Sequence, residues 1–178
     1  MNNSDFSTAL LLNETPEQVF NAVNNVRGWW SEEIQGRTDK QDEEFLYHFE
    51  DIHRCRLKII EFIPEAKVVW LVMDNYFKPG LFDETVSPSP AKNILATESE
   101  WTGTRIIFEI AAKGDQTELR FTHLGLVPKF ECFYVCVNGW THYINHSLSD
   151  LITTGKGQPN STGAPMTSDE EKFRTAVK

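Results

Sequence analysis

The chain has 178 residues, 40% of them hydrophobic and 24% charged, with a formal net charge of −9. That length suits one domain, or at most two small ones, and buries roughly 70% of the unfolded surface without covalent staples. The acidic balance opposes a nucleic-acid backbone and an anionic lipid surface, since both require clustered Lys and Arg.

Residues 5–12, with Phe6, Ala9, Leu10, Leu11 and Leu12, predict a first strand. Thr15 is placed to cap a helix over 16–25, with Pro16 in its first turn and Gln18 where a capping box wants Glu or Gln. Val19, Phe20 and Val23 follow at helical spacing. Arg27-Gly28-Trp29-Trp30 ends that helix. The two adjacent Trp are expected to point different ways, which predicts a bend or a short second helix.

A run of strands comes next. Phe45, Tyr47 and Phe49 share one face of 44–50 at period two. Residues 53–63 carry Leu57, Ile59, Ile60, Phe62 and Ile63, and Pro64-Glu65-Ala66 turns the chain. Lys67 to Asp74 is a buried strand holding Val68, Trp70 and Val72. Over 103–112, Ile106, Phe108 and Ile110 oppose Arg105, Ile107 and Glu109. Lys113 to Gln116 is a hairpin turn, and 117–125 then sets Leu119, Phe121 and His123 on one face.

From about 129 to 154, Phe133, Cys136, Val137, Trp140, Tyr143, Ile144, Leu148 and Leu151 recur at spacings of three and four. This is an amphipathic helix, and Gly155 is its expected stop. Gly139 inside it costs about 1 kcal/mol relative to Ala. That cost predicts a close approach to a strand, setting the depth of Trp140. Two segments are less regular. Residues 77–101, with Pro79-Gly80 and Ser87-Pro88-Ser89-Pro90, are too long for a hairpin loop and are expected at a functional rim, as a flap or partner contact. Residues 157–178 read as a flexible tail, though Ser168 with Glu171 repeats the capping-box pattern.

The three cysteines, Cys55, Cys132 and Cys136, have no CxxC spacing and read as reduced thiols, which suits a cytoplasmic protein. The N-terminus has no basic and apolar signal pattern, and the longest apolar run, Val68 to Met73, is too short to span a bilayer. No membrane insertion is expected.

A lone long helix must bury its apolar stripe, and the sheet is the only large surface available. The fold class is therefore α+β: a curved antiparallel sheet wrapped around a long C-terminal helix, with two short helices after the first strand. Several segments carry a family resemblance: Pro16-Glu17-Gln18-Val19-Phe20, Gly28-Trp29-Trp30, Val68-Val69-Trp70-Leu71-Val72, Glu100-Trp101-Thr102-Gly103-Thr104, Phe121 through Pro128, and Asn138-Gly139-Trp140. Together they resemble the activator-of-heat-shock-ATPase-like branch of the START and birch-pollen-allergen (SRPBCC) superfamily. The resemblance spans about residues 5–156, and 77–101 departs from it as an insertion. It implies a START-like helix-grip domain over 1–156, with a pocket between sheet and helix. It also implies ligand carriage or chaperone regulation.

Alternation and the resemblance together place Tyr47, Trp70, Phe108, Phe121, His123, Trp140 and Tyr143 around that pocket. The expected function is binding of a small apolar or amphipathic, lipid-like molecule there. The alternatives are a protein-interaction or chaperone-regulating module, with a protein partner or homodimer, and an enzyme of cyclase or hydrolase type using His123. No carboxylate is placed beside His123 by the sequence, so a buried neutral imidazole is preferred to a general base, and no catalytic residue is assigned. Cys132 and Cys136 share a helix face, as do His142 and His146, but the pairs point roughly 240° apart, so no metal and no cofactor is expected.

Overall fold

Seven strands form one antiparallel sheet among residues 5–82 and 100–176, the residues that the computed structural model describes. They are β1 (Phe6–Leu12), β2 (Gln35–Gly36), β3 (Glu44–Phe49), β4 (His53–Ile63), β5 (Lys67–Phe77), β6 (Arg105–Lys113) and β7 (Gln116–Leu124). Their order is β1-β7-β6-β5-β4-β3-β2. The alternation seen in the sequence is the burial pattern: Phe45, Tyr47 and Phe49, Ile106, Phe108 and Ile110, and Leu119, Phe121 and His123 all face inward. Register shifts between β4 and β5, at Arg56/Leu57 and Ile59/Glu61, add the local twist that lets such a sheet curl. The β6–β7 hairpin closes on Lys113 paired with Gln116, with Gly114 at φ +62° as a tight two-residue turn requires. The two-residue β2 was not foreseen. It depends on Gly36, at φ +101°, where a Cβ would stand 2.5 Å from the Glu44 carbonyl oxygen.

Helix α1 (Pro16–Asn24) starts as expected. The Gln18 N–H donates to Thr15 Oγ1 at 3.2 Å, and the Thr15 N–H donates to Gln18 Oε1 at 2.9 Å. A short α2 (Val26–Trp29) follows. Trp29 and Trp30 do not diverge: both are buried, and each stacks on Trp70 with ring centroids 6.3 and 6.1 Å away. The chain leaves the helix at Trp30, so the usual ~100° between successive side chains no longer separates them.

The long C-terminal helix begins at Phe133 rather than 129. Before it, the Glu100 carboxylate accepts the N–H groups of Glu131 and Cys132. It runs as α3 (Phe133–Trp140), a π-helical stretch (Thr141–Leu148) and α4 (Ser149–Thr154), and Gly155 ends it at φ +83°. Apolar spacings of three and four do not distinguish the wider π turn from an α turn. The π stretch buries Tyr143, Ile144, Ser147 and Leu148 against the sheet and the short helices.

Two expectations need correction. Gly139 makes no close approach, for a Cβ there would meet nothing within 4 Å. Nor is the C-terminal segment a loose tail. Asn160 is fully buried, its N–H donates to the Trp30 carbonyl at 3.0 Å, and its carbonyl accepts the Glu32 N–H at 2.9 Å. Thr162 bonds the Glu33 carboxylate, and Gly157 lies against the Gly28 carbonyl with no room for a Cβ. Helix α5 (Ser168–Ala176) then buries Phe173. Its capping box is Thr167 with Glu170, one residue before the pair suggested by the sequence. Polar composition suggests disorder only where the polar groups lack partners, and here most have them, the buried Asn160 Oδ1 being an exception. Of the 77–101 insertion, Leu81 is buried, Phe82 packs on Phe77 and Phe173, and 83–99 lie outside the described residues.

Candidate functional site

The inner faces of β3, β4 and β5 meet the long helix at one end of the sheet, and α5 closes over them. A cavity of about 70 Å³ lies between these elements. β3 supplies Tyr47 and Phe49, β4 begins with His53, and β5 ends with Phe77. Trp30 and Trp101 form further walls, the helix presents Cys136, Gly139, Trp140 and Tyr143, and α5 with its cap adds Thr167, Asp169, Glu170 and Phe173. The absent Cβ of Gly139 therefore opens space inside this chamber instead of admitting a strand.

Aromatic contacts fix the walls. Trp30 stacks on Tyr47 at 4.2 Å and tilts against Trp140 at 5.0 Å, while Trp101 stacks on Trp140 at 5.8 Å. His53 stacks on Phe77 at 4.1 Å and meets the rings of Tyr47 and Trp101 edge-on, both at 5.1 Å. Such offset and edge contacts hold the rings rigidly.

One buried polar network ties the tail to this wall. The Asn160 side-chain amide lies 3.1 Å from the Tyr47 hydroxyl, 2.8 Å from that of Tyr143 and 3.0 Å from Glu170 Oε1. Tyr143 donates to the same Glu170 oxygen at 2.5 Å, and Glu170 Oε2 accepts the N–H groups of Met166 and Thr167. Burial and the nearby Glu170 carboxylate push both phenols above their ordinary range, so they stay neutral. His53 Nε2 faces Asn75 Oδ1 at 2.5 Å; with the Asn75 amide so oriented, which leaves its buried Nδ2 without a partner, the proton sits on Nε2 and Nδ1 is an acceptor. Burial lowers its pKa to about 4, so the ring is neutral at physiological pH.

Of the residues expected around the pocket, Tyr47, Trp140 and Tyr143 line it. Trp70, Phe108, Phe121 and His123 do not: they are fully buried in the core behind it. Trp70 and Phe108 pack at 4.8 Å, Phe108 and Phe121 at 5.3 Å, and Trp140 closes over Phe121 at 4.8 Å. His123 is held on both ring nitrogens. Trp140 Nε1–H donates to Nδ1 at 3.0 Å, so Nε2 carries the proton and donates to Thr104 Oγ1 at 2.8 Å, and Thr104 donates onward to the Trp101 carbonyl. Burial lowers its pKa to about 3. Its partners are two side chains, and no nitrogen is left for a bound molecule.

The alternation argument missed His53, although it shares its inward face with Cys55, Leu57 and Ile59 at period two. Trp30 and Trp101 sit at an element end and in a turn, where periodicity says nothing. Asn160, Glu170 and Phe173 fell within the segment read as a tail. Cys55, Cys132 and Cys136 are buried free thiols, and burial raises the Cys132 thiol pKa. The rings of His142 and His146 stand 6.3 Å apart. Among the described residues no three His, Cys, Asp or Glu side chains gather as a metal site, and no helix is long and apolar enough to cross a membrane.

Comparison of whole structures bears on this arrangement. The solution structure of an Aha1 dimer from Colwellia psychrerythraea matches with a TM-score of 0.64 at 22% identity, covering 86% of this chain and 99% of that one. The chain has an Aha1-type helix-grip fold. CalU16 from Micromonospora echinospora matches this Aha1-type fold with a TM-score of 0.55 at 12% identity, covering 95% and 81% of the two chains. A structural-genomics protein from Staphylococcus saprophyticus gives 0.57 at 13%, covering 86% and 95%. No protein-family model matches the chain, and no curated protein does. A fold does not by itself imply a function, so function must be argued from the cavity.

Proposed function

We propose that the protein binds a small, partly apolar molecule in the cavity between the sheet, the long helix and α5. The observation that carries this reading is an aromatic chamber with a few placed polar groups, Tyr47, His53 and Tyr143, in its wall. A packed core has no reason to leave such a space beside unfilled helix surface at Gly139. Pockets for drug-sized ligands run to roughly 300–1,000 Å³, so about 70 Å³ suits a compact occupant; the pocket is half open, so a single ring seated there stands partly in its mouth, and a lipid-like chain would need the wall to move. The chemistry is binding rather than turnover through His123, whose nitrogens are both engaged.

The test is titration with benzyl alcohol, followed through the indole N–H resonances of Trp30, Trp101 and Trp140 in an NMR spectrum. Saturable shifts in these three signals are expected. In Gly139→Leu, whose side chain would grow into the chamber, they should vanish while the rest of the spectrum stays folded. Shifts that never saturate, or that persist unchanged in Gly139→Leu, would overturn the assignment.

A further inference from the structure

We infer that the occupant of this cavity is a cation, a small organic ammonium carrying an apolar group; this rests on the binding reading above. The polar groups of the chamber are not evenly matched. Among the described residues its wall holds two carboxylates, Asp169 and Glu170, and no Lys or Arg. The nearest cations among the described residues are already paired, Lys172 with Asp169 itself in a long and exposed ion pair. Arg174 pairs with Glu50 at 2.8 Å and with Glu171 at 3.3 Å, and exposed Lys172 lies 3.9 Å from Asp169 Oδ1. The N-terminal end of α5 offsets about half a charge, which leaves the wall negative.

The hydrogen-bonding capacity points the same way. Glu170 is held by the Tyr143 hydroxyl, by the N–H groups of Met166 and Thr167 and by the Asn160 amide that it shares with the two phenols, so that carboxylate stays put as a fixed negative charge. Asp169 accepts one hydrogen bond, from Asn138 at 3.2 Å, and meets exposed Lys172 only at 3.9 Å, so it keeps acceptor positions free. His53 Nδ1 is a second acceptor with no partner among the described residues. A donor-rich ammonium answers both.

The remaining wall is aromatic, with Trp30, Tyr47, Trp101 and Trp140 in fixed contact. Ring faces attract cations, and more so out of water. A carboxylate ligand would meet the opposite: like charge in a poorly solvated space, with no Lys or Arg among the described residues of the wall. The site selects against anions as well as for cations.

The experiment compares three molecules sharing one ring: benzylammonium, benzyl alcohol and benzoate, each titrated into the full chain at pH 7 with the indole resonances as readout. Benzylammonium should bind about tenfold more tightly than benzoate, with the alcohol between, a difference of ~1.4 kcal/mol. Raising the salt concentration should weaken benzylammonium alone. Asp169→Asn should lower benzylammonium affinity several-fold more than that of the alcohol. If the alcohol binds but benzoate equals or exceeds benzylammonium, or if Asp169→Asn weakens all three alike, the charge assignment is wrong while the binding reading stands. If none of the three binds, both fall.

Discussion

Two glycines with opposite surroundings give the sharpest test of how the long helix and the C-terminal segment are built. Gly139 sits inside α3 at the cavity wall, where a Cβ would meet no atom within 4 Å. Replacing Gly by Ala in a helix interior stabilises by roughly 0.5–1 kcal/mol, partly by reducing the freedom of the unfolded chain. With no collision to offset that gain, Gly139→Ala should raise stability by about the full amount. For a chain of this size that is a rise in Tm of roughly 1–4 °C. Gly157 is the reverse. A Cβ there would collide with the Gly28 carbonyl oxygen and stand 3.0 Å from that of Ser147, both fixed backbone. Gly157→Ala should cost about 1–3 kcal/mol, as overpacking does, and should loosen the segment that follows. Thermal and urea melts of parent and both variants, with matching m-values, measure the two effects side by side. Gly139→Ala melting at or below the parent would show that the helix surface there is already in contact, and the cavity wall would have to be redrawn.

Trp140→Ala should destabilise by about 3–5 kcal/mol, since it removes a buried indole and leaves the His123 Nδ1 acceptor bare. Trp140→Phe, which keeps a ring but loses the N–H, should cost less, and urea midpoints that rank the two the other way would refute the packing role given to the ring. Acid stability follows from the histidines. His53 and His123 stay neutral in the fold down to about pH 4 and 3, whereas the unfolded imidazoles take up protons below about 6.5, so stability is highest above that pH and falls as pH drops through the window. Between pH 6.5 and 5 buried His123 alone should remove about 2 kcal/mol, and a urea midpoint that does not fall over that range would contradict its burial as a neutral ring. Asn160→Ala breaks the link among Tyr47, Tyr143 and Glu170 and should cost about 1–3 kcal/mol. Limited proteolysis should then cut within 156–176 sooner than in the parent.

Much of the architecture was legible in one dimension because it rests on local rules. Period-two alternation marked the inward faces of β3, β6 and β7, and the Thr15-Pro16-Gln18 signature marked the start of α1. The three-and-four spacing marked the long helix, and Gly155 its end. The resemblance to the Aha1-type branch rested on the same segments, and the fold agrees with it. Inward direction was legible as well: Phe121 and His123 do face the core. Whether an inward side chain meets a neighbour or a void was not, because that depends on side chains from strands, helix and tail that lie far apart in the chain. His123 reads as a pocket residue only until Trp140 and Thr104 occupy its two nitrogens.

Composition misled most in the last twenty residues. Gly, Pro, Ser and Thr suggest disorder because nothing local holds them, yet Asn160 is fixed by Trp30, Glu32, Tyr47 and Tyr143, all distant in sequence. The same holds for Gly139, whose cost in the helix was visible but whose reason was not, since empty space leaves no mark in a sequence. Periodicity, caps and turns are local, so the amino-acid order determined the strands, the helices and the faces they bury. Only packing in three dimensions decided that α5 closes one end of the sheet, and that the space beneath it is walled by Trp30, His53, Trp101 and two carboxylates.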